Sequence, residues 1–233
     1  MYPIDPRVPA ELRPLAAEVP GHRVAMCLDL LERRLTGLSV AAEAVYRRHN
    51  VSAVLRSAEA FGLHDAHLVT GSFRPSPGAA KGAERWLRLH LHPDIDSFAA
   101  YLREQGVALW VADFEDGALP PWEVPVDQPL TLLFGNELSG VSAAARRHAS
   151  GVVRVPMRGV TQSLNVAAAA AIVLQHLSAR RAAVPGAIGV GGEERTAFLR
   201  RFLERERKRR KAATAVYDLD EAPDAESIPP ESP

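Results

Sequence analysis

From Gly37 onward, short runs rich in β-branched and apolar residues alternate with stretches of helical spacing, and this alternation constrains the fold more than any other feature of the chain. It predicts strands near 38–45, 66–70, 86–92, 108–114, 130–135 and 152–157, and helices near 50–61, 95–105, 142–149 and 165–181. Such a pattern predicts an α/β domain with a mostly parallel sheet buried between helices.

The flanks read differently. Five prolines in the first twenty residues predict a flexible arm over 1–20, and "GHRVAMCLDLLERRL" predicts an N-terminal helix within 21–36. The α/β segment is then 37–182. A Pro/Gly-rich connection, "AAVPGAIGVGGEE", breaks the last helix of that segment, and a second helix follows in "RTAFLRRFLERERKRRKAA"; together they form a linker and basic helix over 183–211. Residues 212–233 are acidic, Pro-rich and short of apolar groups, which predicts a disordered tail. The length suits one domain of roughly 180 residues with tails rather than two domains.

Net charge is zero, with 28 basic and 28 acidic side chains, but the zero hides a segregation. Six of the acidic groups lie beyond residue 211, where there is no Lys or Arg, so the preceding chain carries +6. A basic body suits a polyanionic partner, and a merely solvated surface is the alternative. One cysteine, Cys27, sits among apolar neighbours at helical spacing and reads as a buried structural thiol. With no signal-peptide pattern and no long apolar run, the chain reads as soluble and cytoplasmic.

Several chemistries find no support. No G-x-G-x-x-G follows the first strand, no P-loop is present, and the glycines of "GAIGVGG" fall after the domain's last helix. His90 and His92 alternate onto one face of a strand, but no cysteine or carboxylate pattern completes a metal site, so ordinary strand histidines are expected.

Three polar clusters remain, each at the end of an element, where an open α/β sheet places its ligands. In "RRHNVSAVLRSAEAFG" (47–62), Asn50 is a good helix N-cap and Arg56 can be a surface arginine paired with Glu59. "LTLLFGNELSGVS" (130–142) sets Glu137 at a strand end between glycines that let backbone approach a ligand, or simply makes a strand-to-helix turn. "VPMRGVTQSLNVAAAAAIVLQH" (155–176) opens an alanine-rich helix with Gln162, Ser163 and Asn165, of which Asn165 is a serviceable cap.

In this order the three clusters resemble motifs one, two and three of the SpoU branch of the SPOUT RNA 2'-O-methyltransferases, and within it the TrmH group, which methylates the D-loop guanosine of tRNA. The resemblance spans about 24 to 205. It implies a C-terminal deep trefoil knot, a rarity among folds, a pocket for S-adenosyl-L-methionine (AdoMet), no metal, and a homodimer whose active sites draw on both chains. Carried over residue by residue, it implies catalytic roles for Arg56, Asn50, Glu137, Ser163 and Asn165. It implies cofactor contacts at Val155, Leu164, Gly135 and Ala112. The family often has Thr where Ala112 stands, so a contact there must be main-chain. Arg56 matches the arginine usually assigned as general base, a role that strains its chemistry because a guanidinium stays protonated in proteins.

Two departures stand out: Arg48 replaces the family's proline before motif one, and Ala167 replaces a serine after "SLNV". With only about 37 residues before the first strand, too few for a separate RNA-binding domain, a tRNA substrate is expected rather than 23S ribosomal RNA. A non-catalytic RNA-binding protein is the rival of a different class. Arg23, Arg33, Arg34, Arg47, Arg48 and the run "RERKRRK" (205–211) are expected to engage RNA phosphates.

Overall fold

The computed structural model describes residues 4–43, 48–69, 82–136 and 138–219, without side-chain detail at 48 and 211–219. The described residues form two compact units, one from the chain up to Leu30 together with the segment from Gly192 onward and the other from Leu31 to Gly191.

In chain order the elements are α1 (Arg13–Ala16), α2 (Gly21–Arg33), β1 (Leu38–Glu43), α3 (Arg48–Ala60), β2 (Asp65–Val69), β3 (Arg88–His92), α4 (Ile95–Glu104), β4 (Ala108–Ala112), β5 (Leu130–Phe134), α5 (Ala143–His148), β6 (Gly151–Val153), α6 (Val166–Arg181) and α7 (Gly192–Leu219). Short 3₁₀ turns cover Ala10–Leu12 and Ala83–Trp86.

The larger unit is built on a six-stranded sheet in the order β3-β2-β1-β5-β4-β6. Every strand pair in it is parallel. Strands β1 and β5 are buried along their whole lengths, as the apolar runs require when helices cover both faces. One face carries a core in which Val51, Val54, Leu55 and Ala58 of α3 meet Ala170, Val173, Leu174 and Leu177 of α6 over Val40, Leu132 and Phe134. The other face packs Ile95, Phe98 and Leu102 of α4 and Ala145 of α5 on Leu109, Val111 and Leu133. The alanines of α6 let it lie close to α3, since small side chains shorten the distance at which two helices can pack.

The chain turns into β1 at Gly37, which takes φ +73°, and a Cβ there would fall 2.2 Å from Arg181 Nη2. The Arg181 guanidinium is buried and donates to the carbonyls of Thr36 (3.0 Å), Val126 (2.7 Å) and Asp127 (3.0 Å), tying the end of α6 to the start of the sheet.

Strand β6 is shorter than the sequence predicts. After Val153 the chain leaves the sheet, with Arg154 N donating to Leu119 O at 3.0 Å, and residues 154–165 form a loop.

In the smaller unit, residues 10–16 are helical rather than an extended arm, because Val8, Leu12, Ala16 and Val19 are all buried and need a compact backbone to be so. Cys27 is buried, as are Phe198, Leu199, Phe202 and Leu203 of α7. The backbone of α7 continues to Leu219, into the segment expected to be disordered, while 220–233 lie outside the described residues. No helix among the described residues is long and apolar enough to cross a membrane.

Candidate active site

Parallel strands deliver their following loops, and the N-termini of the helices after them, to one edge of the sheet. At that edge, beyond the ends of β5, β4 and β6, lies a cleft of about 720 Å³. Phe134, Val153, Ala169 and Val173 give it apolar walls, and Asn50, Asp113, Asn136, Ser163 and Asn165 bring polar groups to it. The volume falls within the range of small-molecule sites, roughly 300–1,000 Å³.

Asn165 does two jobs at once. Its side-chain oxygen accepts from the N–H groups of Ala167 (2.9 Å) and Ala168 (3.4 Å), capping α6, while its Nδ2 donates to Asn50 Oδ1 at 3.3 Å. Asn50 was expected as the N-cap of α3. The helix begins at Arg48, so Asn50 lies inside the first turn, 3% exposed, and its amide faces Asn165 instead. The polar start of the alanine-rich helix thus serves as a cap and as a bridge to motif one.

The motif-two loop is a tight reversal. Asn136 and Gly140 exchange backbone hydrogen bonds at 2.9 and 2.8 Å, and Asn136 Oδ1 accepts from the N–H groups of Leu138 (2.8 Å) and Ser139 (3.2 Å). The turn brings Gly140 O so near Gly135 that a Cβ at 135 would stand 2.3 Å from it. Only glycine permits that approach, and it leaves bare backbone lining the cleft. Glu43, at the end of β1, adds a brace: its Oε2 accepts from Ser142 N at 3.1 Å.

Of the residues singled out in the sequence, Asn50, Ser163, Asn165, Val155, Leu164, Gly135 and Ala112 all line this one cleft. Arg56 does not; it is exposed on α3. Glu59, its expected helical partner, accepts from Arg34 at 3.3 Å. Glu137 lies outside the described residues.

The basic residues separate sharply. Arg34 corrects the expectation of a phosphate contact: it is fully buried and donates to Glu59 O (3.1 Å) and Trp86 O (2.5 Å), so its charge is spent inside the fold. Arg23 pairs with Glu206 at 2.9 Å. Arg33 is exposed, Arg47 lies outside the described residues, and only the backbone is described for Arg48.

Sequence reasoning passed over Asp113 and Asn136, both of which line the cleft. The signal was present: each follows an apolar strand run, "LWVA" and "LLFG", at the edge where ligands bind.

His90 and His92 belong to a separate cluster. His67 Nδ1 stands 3.1 Å from His92 Nε2 and stacks on His90 at 4.7 Å between centroids, while His90 Nε2 meets Asp65 Oδ1 at 2.8 Å. Burial, then the neighbouring His90, pushes the His67 pKa down to about 3. Burial and His90 lower that of His92 as well. Burial opposes ionisation of Asp65, but hydrogen bonds from His90 and Arg88 prevail and hold it below the usual carboxylate range. No group of three metal-ligating side chains suited to an ion occurs among the described residues.

The SpoU rRNA Methylase family model matches residues 37–175, a span that contains the sheet and the whole cleft. The chain belongs to the SpoU methylase family. A tRNA (guanosine(18)-2'-O)-methyltransferase of Thermus thermophilus is 37% identical over 63% of this chain and 76% of its own length. Among SpoU methylases of known structure, the crystal structure of the Aquifex aeolicus TrmH/SpoU tRNA modifying enzyme matches with a TM-score of 0.72 over 79% of this chain and 96% of that one, at 24% identity, a likeness of fold. The SpoU methyltransferase AviRb of Streptomyces viridochromogenes, in complex with the cofactor AdoMet, matches with a TM-score of 0.56 and 26% identity over 66% of this chain and 64% of that one.

Proposed function

We propose that this SpoU methylase is an AdoMet-dependent tRNA ribose 2'-O-methyltransferase that modifies the D-loop guanosine at position 18, the specificity named for its Thermus relative. The observation that carries the reading is the convergence of Asn50, Ser163 and Asn165 with Gly135, Val155 and Leu164 on one cleft. The sheet brings the three loops together in any case, but a protein that only binds RNA has no need of these polar side chains and this bare backbone in one cleft.

The cleft fits the cofactor. Its apolar walls can cover an adenine, the bare backbone at Gly135 and the main chain at Ala112 can read the ring edge, and its volume is that of a small-molecule site. AdoMet supplies an electrophilic methyl group on a sulfonium. Val155 and Leu164 would flank it, and Ser163 would orient it. Asn50 and Asn165, already hydrogen-bonded to each other, would fix the ribose so that its 2'-oxygen lies in line with the methyl carbon. For transfer to this oxygen the ribose hydroxyl would give up its proton, which would pass to water, while the two amides keep the oxygen in place.

The exposed Arg56 lies off its own chain's cleft, which supports a homodimer in which the partner's Arg56 completes the site. There its guanidinium would hold the phosphate and ribose, and Glu137 would orient Arg56 or Asn50. In this reading residues 37–182 form the methyltransferase domain, and loop 154–165 with α6 forms a deep trefoil knot around the cofactor. Arg33, Arg47, Arg48 and the basic run 205–211 are the proposed phosphate contacts, and the protein works in the cytoplasm, where tRNA is processed.

The test is methyl transfer from labelled AdoMet to unmodified tRNA and to ribosomal RNA, followed by mapping of the labelled nucleotide. Label on the ribose of the D-loop guanosine is expected. Label confined to ribosomal RNA would overturn the substrate, and no transfer to either RNA would overturn the activity.

A further inference from the structure

The two charged side chains on the described lining of the cleft are held differently, and the better placed of them has the sign that suits the cofactor. Among the described lining residues, Asp113 and Arg154 bear the charges. Arg154 is exposed, where solvent screens it. Asp113 is only 13% exposed and firmly placed. Its backbone N–H donates to Val153 O at 3.1 Å, and its Oδ1 accepts from Phe114 N at 2.7 Å.

Arg146 of α5 forms an ion pair with Asp113 Oδ2, but it does not neutralise it. The same guanidinium binds Glu115 Oε1 at 3.0 Å, so one cation is shared by two carboxylates and one negative charge is left over. Asp113, not Glu115, is the carboxylate that lines the cleft. A Cβ at Gly140 would stand 3.9 Å from Asp113 Oδ1, so this glycine of the motif-two loop leaves the carboxylate uncovered from that side.

We infer that Asp113 is a specificity-determining residue that makes the cleft prefer the methyl donor to the spent product. This rests on the reading of the cleft as the AdoMet site. AdoMet carries a sulfonium and an ammonium against one carboxylate, a net +1, whereas S-adenosyl-L-homocysteine has lost the sulfonium charge and is neutral. The two ligands share every other group. A residual negative charge in a half-buried cleft therefore discriminates between them by Coulomb attraction alone, even without direct contact. The product is then released in favour of a fresh donor.

The experiment measures the Kd of AdoMet and of S-adenosyl-L-homocysteine by calorimetry for the full-length protein and for Asp113→Asn and Asp113→Glu. Asn keeps an oxygen for the Phe114 N–H, and product binding reports that the cleft is intact. Asp113→Asn is expected to weaken AdoMet about fivefold more than the product, a loss of about 1 kcal/mol of preference, and Asp113→Glu to restore most of it. An unchanged ratio of the two Kd values in Asp113→Asn, whether both bind normally or both are lost together, would overturn the role of Asp113. A wild-type chain that binds neither ligand would overturn the reading of the cleft itself.

Discussion

Asn165 donates to Asn50 across 115 residues of sequence, with Nδ2 3.3 Å from Oδ1, while its own oxygen caps α6. One side chain thus joins motif three to motif one and closes an orphan helix end. Its capping role and its proposed catalytic role can be separated by chemistry.

Asn165→Ser retains a capping oxygen but cannot reach Asn50 with an amide. Thermal stability should stay within a few tenths of a kcal/mol, whereas Asn165→Ala should lose about 1 kcal/mol. Single-turnover methyl transfer should fall in both variants by roughly tenfold or more. Full activity in Asn165→Ser would show that the bridge to Asn50 is dispensable.

Arg56→Ala should bind AdoMet normally and lose about 100-fold in methyl transfer, as expected when a charge-stabilising donor is removed. Because Arg56 lies off its own cleft, mixing this variant with Asn165→Ala should regenerate one intact site per mixed dimer. Activity in the mixture above that of either variant alone is the expected result. An additive mixture would mean that Arg56 serves its own chain.

Gly135→Ala would force a Cβ to within 2.3 Å of Gly140 O, a backbone atom that cannot swing aside. The motif-two loop must open, so AdoMet affinity should drop by about tenfold or more and stability by ~1–3 kcal/mol. Calorimetric titration and thermal melting check the two effects separately.

The sign of the pH dependence follows from His67. Its folded pKa is pushed down to about 3 from 6.5, so below pH 6.5 the unfolded chain takes up a proton that the folded chain refuses. Stability therefore holds above pH 6.5 and falls as pH drops toward 3, by up to ~2 kcal/mol at pH 5. His92 shifts in the same direction, and the lowered Asp65 acts only below the ordinary carboxylate range. His67→Gln should flatten the fall in melting temperature between pH 6.5 and 4; an equally steep fall would assign it to other groups.

Much of the fold was legible because its causes are local. The apolar runs at 130–134 and 108–112 and the helical spacing at 166–181 mark strands and helices wherever those segments pack. Boundaries were less legible: α3 begins two residues before its expected start, and this moves Asn50 from the cap into the helix. The helical turn at 10–16 was hidden by the prolines around it, although the one inside it, Pro14, sits in the first turn of α1, where a missing N–H costs nothing, and Leu12 and Ala16 are buried.

In the candidate site, the residue types were readable and their company was not. Arg23, Arg33 and Arg34 look alike in sequence, yet Arg34 is buried on carbonyl oxygens, Arg23 holds Glu206 and Arg33 is exposed. Asp113 passed unnoticed because a single Asp after a strand is common, and its excess charge exists only through the sharing of Arg146 with Glu115.

By itself the sequence determined the order and kind of the elements and the three polar motifs at their ends, because periodicity and turn chemistry act within a few residues. Only the tertiary structure decided that β5 enters between β1 and β4, and so that Asn50, Gly135 and Asn165 share one cleft. Strand order and burial depend on which distant surfaces exclude water together, and no short stretch of the chain contains that information.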